Sequence, residues 1–269
     1  MSRKAEKSLK ITIIWGTIAA IIFGAISLVR LSDQIVIPNI TDRIPDIIYP
    51  SKRNIPLQLR AHSVVGIDVS HYQGMINWDQ VKTIDDKPIS FVFIRATQGD
   101  DSNDKYFKYN WKHAKENGFV RGAYHYYRPD ENSLKQAERF IKRVRLEKGD
   151  LPPVLDIEKF SKIQSKQSLR NGLKKWLDTV EEHYGVRPII YTGASHYKDL
   201  LSDAMFNDYI FWIANYNKLD RPIHDRIWTF WQFSEKGKVN GIEGNTDLNV
   251  FKGTKVDLEN LAIKQVSSQ

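Results

Sequence analysis

Pro153-Val154-Leu155-Asp156-Ile157-Glu158 is a short apolar run ending in two carboxylates two residues apart. Read as a buried strand, it places Asp156 and Glu158 on one face, roughly 6–7 Å apart at the backbone. Like charges held side by side at a strand end push one carboxyl toward its protonated form. A protonated carboxyl beside an ionised one is suited to acid–base cleavage of a glycosidic bond. A solvated strand end is the plainer reading of an isolated Asp-x-Glu, so the weight falls on what surrounds this one.

Working outward, β-branched and aromatic runs recur at Val64–Val69, Phe91–Ala96, Val120–Tyr126, Pro153–Ile157, Pro188–Tyr191, Tyr209–Asn215, Ile227–Phe233 and, more weakly, Leu248–Phe251. Helical patterns separate the early runs: Tyr106–Asn117, Ser133–Glu147 and Gln167–Tyr184. Gly118 and Gly185 stand where helix C-caps belong, and Ser133 with Gln136 fits a capping box. Strands alternating with helices predict parallel pairing with right-handed crossovers. After Tyr209 the spacing tightens and helices drop out. The fold expected is therefore α/β: an irregular TIM-like barrel of about eight strands, early βα units and plain final strands. An open doubly wound sheet is the alternative.

Functional groups of a parallel barrel gather at the C-terminal ends of its strands. Those ends carry Asp68, Arg95, Tyr124 and Tyr126, Asp156 and Glu158, Tyr191, Trp212, and Trp231 with Gln232, while Asp247 opens the last run. Each has a plainer reading, such as an Asx turn for Asp68 or a core position for any one aromatic. Their convergence on one mouth is the argument for a site. The acids Glu158, Asp156, Asp68 and Asp247 are the catalytic candidates; Tyr124, Tyr126, Tyr191, Trp212, Trp231, Gln232 and Arg95 are the substrate-binding candidates. Aromatic faces with polar tips suit sugar rings. His71 and His125 lack the spacing of a metal site and read as hydrogen-bonding groups of the rim, so neither metal nor cofactor is expected. A nucleophile elbow and a phosphate-cradling loop are both missing.

The chain of 269 residues has no cysteine and a net charge of +8. That excludes disulfides, thiolate ligands and a cysteine nucleophile. Residues 1–10 form a basic tail with Arg3, Lys4, Lys7 and Lys10, and 11–30 hold an uncharged stretch from Ile11 to Val29. Such a stretch is long enough for one transmembrane helix, with the basic end cytoplasmic and the remainder exported to the bacterial envelope. A cleaved signal peptide is the rival reading. Residues 31–62, with Pro38, Pro45, Pro50 and Pro56, read as a stalk, although its apolar residues Ile35, Ile37, Ile47, Ile48, Leu57 and Leu59 suit packing of part of it on the domain. The catalytic domain is placed at 63–255 and a tail at 256–269. No basic-aromatic motif points to nucleic acid, and nothing sets an oligomeric state.

Ten short motifs occur in one order: Gly66-Ile67-Asp68-Val69-Ser70, Gln73-Gly74, Ile76-Asn77-Trp78, Phe93-Ile94-Arg95-Ala96-Thr97, Gly122-Ala123-Tyr124-His125-Tyr126, Val154-Leu155-Asp156-Ile157-Glu158, Ile190-Tyr191-Thr192-Gly193, Trp212-Ile213-Ala214, Trp231-Gln232-Phe233 and Asp247-Leu248-Asn249. Together they resemble glycoside hydrolase family 25, the lysozyme (N-acetylmuramidase) family, over roughly residues 65–251. The resemblance implies a β/α barrel with an irregular final part. It also implies hydrolysis of the β-1,4 bond between N-acetylmuramic acid and N-acetylglucosamine in the glycan strands of peptidoglycan. By position Glu158 matches the family's general acid, Asp156 its partner, and Asp68 and Asp247 the remaining acids. The anchor and stalk stand where many relatives carry wall-binding repeats. A non-catalytic, membrane-tethered peptidoglycan-binding module is the alternative function.

Overall fold

The computed structural model describes residues 55–223 and 227–265, within a compact unit that begins at Ile55. The basic tail, the expected anchor and most of the expected stalk lie outside the described residues. Among the described residues no helix is long and apolar enough to cross a membrane.

Ten strands form the sheet: β1 (Val64–Val69), β2 (Thr83–Ile84), β3 (Lys87–Gln98), β4 (Ser102–Asn103), β5 (Val120–Tyr126), β6 (Val154–Asp156), β7 (Ile189–Gly193), β8 (Ile210–Ala214), β9 (Trp228–Gly237) and β10 (Thr246–Phe251). Eight of them close a barrel in the order β1, β3, β5, β6, β7, β8, β9, β10, and back to β1. All neighbours from β1 round to β9 pair in parallel, whereas β10 runs antiparallel to both β9 and β1. The short β2 and β4 add to β3 in antiparallel fashion. Among the described residues the α-helices of five residues or more are α1 (Leu57–Ala61), α2 (Phe107–Glu116), α3 (Ser133–Arg143), α4 (Lys166–Tyr184) and α5 (Lys255–Leu261).

The pleat sorts side chains into two cores. Phe91, Phe93, Tyr124, Val154, Ile189, Tyr191, Trp212 and Phe230 fill the barrel interior. Their strand neighbours Val92, Ile94, Leu155, Ile190, Ile213 and Trp231 face outward and pack with Phe140, Leu173, Trp176 and Leu177 of the helices. Both faces of most strands are buried, which is why these runs read as continuously apolar. The interior has room for its large rings because β1 and β5 carry glycines there. A Cβ on Gly66 would lie 2.5 Å from the Phe91 ring, and one on Gly122 2.6 Å from Phe93.

Several local expectations give way to tertiary contacts. The N-cap of α3 is Asn132, whose side chain accepts from the Leu134 and Lys135 amides, rather than Ser133. The Ser133 hydroxyl is taken by Tyr127 and the Gln136 amide by His125 and Arg128. α3 stops at Arg143, short of Glu147, because the Asp150 carboxylate captures the Glu147 amide and the Arg121 guanidinium. Gly185 does cap α4, in the left-handed conformation at φ 67°. Two segments assigned to stalk and tail pack on the barrel. In α1, Leu59 is buried and Gln58 donates to the carbonyls of Asn217 and Leu219. The α5 helix has a capping box between Thr254 and Asp257, and its Leu258 joins Val64, Leu151 and Phe251 at the end of the barrel where β1 begins.

Candidate active site

At the opposite end, where the parallel strands finish, the barrel opens into a cleft of ≈ 490 Å³. Asp68, Asp156, Glu158 and Asp247 all line it, together with Arg95, Tyr124, Tyr126, Tyr191, Trp212 and Gln232. Asp247 reaches this mouth from the start of its strand because β10 runs backwards. It faces Asp68 directly across the antiparallel pair. A parallel closing strand would have carried it to the far end.

Asp156 is the last residue of β6 and points inward, buried, with its Oδ1 lacking a protein partner. Glu158 lies just past the strand, yet its carboxyl hydrogen-bonds that of Asp156. Continued pairing holds it there: the Ile157 amide donates to the Tyr191 carbonyl at 3.0 Å and Thr192 Oγ1 to the Ile157 carbonyl at 2.7 Å. Glu158 is open to solvent through the cleft, but the walls surround it on its other sides. Desolvation raises the pKa of both acids. It raises Asp156 furthest, because Asp156 is fully enclosed and also faces the charges of Glu158 and Asp68. The pair therefore holds a shared proton to higher pH than an isolated carboxyl would.

A second acid pair sits beside the first. Asp68 is pushed up to about 6 by burial, which two amide donors oppose: Asn249 Nδ2 at 2.7 Å and Gln232 Nε2 at 2.9 Å, both on Oδ2. Asp247 is pushed up to about 9, first by burial and then by the negative charge of Asp68. Around them, Tyr191 and Tyr216 each donate to Gln232 Oε1 at 2.8 Å, and Trp212 Nε1 donates to Asn249 Oδ1 at 2.8 Å. The cleft gathers Asp68, Asp156, Glu158, Asp247 and Glu235, and crowding them out of water raises the proton affinity of the first four, an arrangement suited to proton transfer at a neutral leaving group.

Comparison with known proteins fits this geometry. The family model described as "Glycosyl hydrolases family 25" matches residues 67–242. This chain belongs to glycosyl hydrolase family 25. It is 34% identical over 212 residues to Lysozyme M1 of Streptomyces globisporus, covering 74% of this chain and 71% of that one. It is 41% identical to the Escherichia coli K12 protein YegX, described as uncharacterized, over 82% of this chain and 81% of the relative. Among solved structures, the bacterial lysozyme of Streptomyces coelicolor superposes with a TM-score of 0.68 at 33% identity, over 74% of this chain and 97% of that one. The protein is thus a glycoside hydrolase of the lysozyme, or muramidase, type.

Within this family 25 barrel, the substrate-binding candidates separate by the pleat. Tyr124, Tyr126, Tyr191, Trp212 and Gln232 face the cleft, with Trp212 as its floor, stacked on Phe93 at 4.3 Å. Trp231 does not reach it. One residue from Gln232 on the same strand, it points outward, is buried beside Trp228 and Phe233, and donates to the Asn215 carbonyl. His125 likewise leaves the rim assigned to it: it faces outward, stacks on Trp176 at 5.5 Å and contacts Thr97 and Gln136. Burial lowers its pKa to about 4, so it is neutral. Arg95 lines the cleft, but its guanidinium is spoken for, donating to Asp104 Oδ2 at 3.2 Å and touching His71 Nδ1. It lies under the exposed ring of Tyr72, 5.1 Å from the centroid, so it braces an aromatic platform at the rim.

Tyr72, Tyr216, Glu235 and Asn249 are cleft or hub residues that the sequence reading did not select. Asn249 had a signal, since it is two residues from Asp247 and shares its face. Tyr72 lies in a single 3-10 turn, His71–Gln73, after β1, and Tyr216 in the loop after β8, where no periodicity marks direction.

Proposed function

We propose that this protein is a membrane-anchored peptidoglycan hydrolase that cleaves the β-1,4 bond between N-acetylmuramic acid and N-acetylglucosamine, with Glu158 as general acid and base. The observation that carries the assignment of roles is the direct carboxyl–carboxyl contact between Asp156 and Glu158. Two acids that touch leave no room for a sugar and a water between them, so Asp156 is not an opposite-face base. Asp247 holds its proton to about 9 and is equally unsuited to be a base at neutral pH.

Substrate assistance fits best. Substrate entry shifts the shared proton onto Glu158, which delivers it to the glycosidic oxygen as the C1–O bond breaks. The substrate's own 2-acetamido oxygen closes on C1, and Asp156, now ionised, accepts a hydrogen bond from the amide N–H. Water then attacks C1, giving a proton to Glu158, as the bond from C1 to the acetamido oxygen breaks and the 2-acetamido group is restored, with net retention of configuration. The cleft's aromatic floor and the Tyr72 platform supply apolar faces for the rings, and Lys159, 5.8 Å from the Tyr126 ring, lends positive charge at the mouth. The basic tail and apolar segment at 1–30 support a single-pass anchor with the barrel on the envelope side.

The test is digestion of purified peptidoglycan followed by mass spectrometry of the released fragments and NMR of the first-formed anomer. New reducing ends at N-acetylmuramic acid in the β configuration are expected. Binding without release would favour a carbohydrate-binding module, and an α-anomer would end the retaining scheme. Membrane fractionation of the full chain, against a variant lacking residues 1–30, tests the anchor.

A further inference from the structure

Asn249 has no choice of orientation. Trp212 Nε1 carries a hydrogen and no lone pair, so the Asn249 atom it meets at 2.8 Å is the amide oxygen. The amide nitrogen is thereby turned onto Asp68 Oδ2 at 2.7 Å. Gln232 is held the same way: the Tyr191 and Tyr216 hydroxyls converge on its oxygen, and its nitrogen meets the same Asp68 oxygen at 2.9 Å. A reversed Gln232 would set oxygen against an oxygen that already accepts from Asn249. Asp68 Oδ2 thus receives two N–H groups and has no place for a proton. Across the β1 and β10 pairing, Asp68 and Asp247 are hydrogen-bonded carboxyls, and two such groups share a proton.

We propose that Asn249 and Gln232 are positioning residues that assign charge within the cleft, holding Asp68 as the anion, leaving the shared proton on Asp247, and through Asp68 keeping the Asp156–Glu158 pair supplied with the proton it delivers. The proposal rests on the hydrolytic reading above. The charged groups facing Asp68 are Asp247 from β10, Asp156 and Glu158 from the end of β6, and Arg95 from β3. Arg95 is already neutralised in part by Asp104, and Glu235 from β9 adds further negative charge beside Asp247. The enclosing tyrosines 124, 191 and 216 are all raised by burial and remain neutral. The anion at Asp68 raises the affinity of Asp156 for its proton, so weakening Asp68 as an anion lowers it.

The experiment is carboxyl ¹³C NMR titration of the full chain labelled at aspartate, with Asp68→Asn and Asp247→Asn serving for assignment, alongside the pH profile of kcat/KM on soluble peptidoglycan. In the parent protein Asp68 should ionise near pH 6, and Asp247 should keep its proton through neutrality. Asn249→Leu and Gln232→Met should each raise the Asp68 midpoint by about one unit and move the alkaline limb of kcat/KM about half a unit toward acid. A merely structural loss would scale the profile without moving its limb. Gln232→Met leaves Trp212 and its partner intact, and stands in if Asn249→Leu does not fold. Unmoved carboxyl midpoints in folded variants, or Asp247 losing its proton before Asp68, would overturn the proposal. The NMR readout needs no turnover, so a parent protein with this titration pattern but no hydrolysis would sink the hydrolase reading alone.

Discussion

Replacing Asp247 by Asn should make the fold more stable and the enzyme worse. Burial and the neighbouring Asp68 hold Asp247 protonated to about 9, against an ordinary value of 3.8 in the unfolded chain. Between those limits the unfolded chain releases a proton that the native state keeps, so native stability falls as pH rises across the window. At pH 7 the window spans about three units at roughly 1.4 kcal/mol each, which sets a ceiling of about 4 kcal/mol on the penalty. Asp68 shares the pair and Asp247 is partly open to the cleft, so about half of that, ~2 kcal/mol, is the expected gain. An Asn side chain keeps a donor toward Asp68 while having no proton to lose. For a chain of this size the gain corresponds to a rise in Tm of about 4–8 °C. Urea unfolding of both proteins at pH 7 and at pH 4 is the assay. The advantage should be present at pH 7 and shrink to about 0.5 kcal/mol or less at pH 4, close to the ordinary value of 3.8, where the unfolded chain has released only about half of this proton. Equal or lower stability at pH 7, or a difference indifferent to acidification, would refute the reasoning.

Glu158→Gln should lower kcat by about a thousandfold with Tm unchanged, read by release of reducing ends; near-normal turnover would remove Glu158 from its role. Gly66→Ala places a Cβ 2.5 Å from the Phe91 ring, which is itself braced edge-on by Phe93 and Phe230 at 5.7 and 5.3 Å. It should cost about 1–3 kcal/mol in denaturant unfolding, and a neutral result would mean that the interior yields. Trp231→Leu should cost about 2–4 kcal/mol of stability through lost packing while leaving KM for soluble peptidoglycan fragments unchanged. A raised KM at retained stability would put this side chain in contact with substrate.

The strands were legible because each carries apolar residues on both faces, as Phe91 and Phe93 alternate with Val92 and Ile94. The four acids were legible because each stands at the edge of such a run. Direction was not. Nothing in Thr246–Phe251 distinguishes an antiparallel strand from a parallel one, and only the tight connection after β9 hinted at a hairpin. Trp231 was assigned to the cleft because an aromatic residue reads alike on either face, although its neighbour Gln232 already claimed the inward side. The α3 cap depended on a competition the local sequence does not display, with Tyr127 engaging the Ser133 hydroxyl. α1 and α5 are too short to form by propensity alone, so their existence follows from the surfaces that receive Leu59 and Leu258.

The reversal of β10 has an architectural corollary. Since β9 ends and β10 begins on the same side, the hairpin between them, residues 238–245, stands at the mouth end of the barrel, flanked by the cleft residues Glu235 and Asp247. Gly241 and Gly244 turn it at φ 88° and 80°, and two bonds fasten it to the segment that follows the adjacent β1: the Asn77 amide to the Gly241 carbonyl at 2.8 Å and Gln73 Nε2 to the Asn245 carbonyl at 3.2 Å. Where β5 and β6 finish, lengthening a connection means reworking the path from a strand to its helix. Here Val239 and Ile242 anchor the turn in the core while a Cβ at Gly244 would meet nothing within 4 Å, so residues gained or lost at Gly244 are the readiest way to alter this corner of the mouth without disturbing the staves beneath.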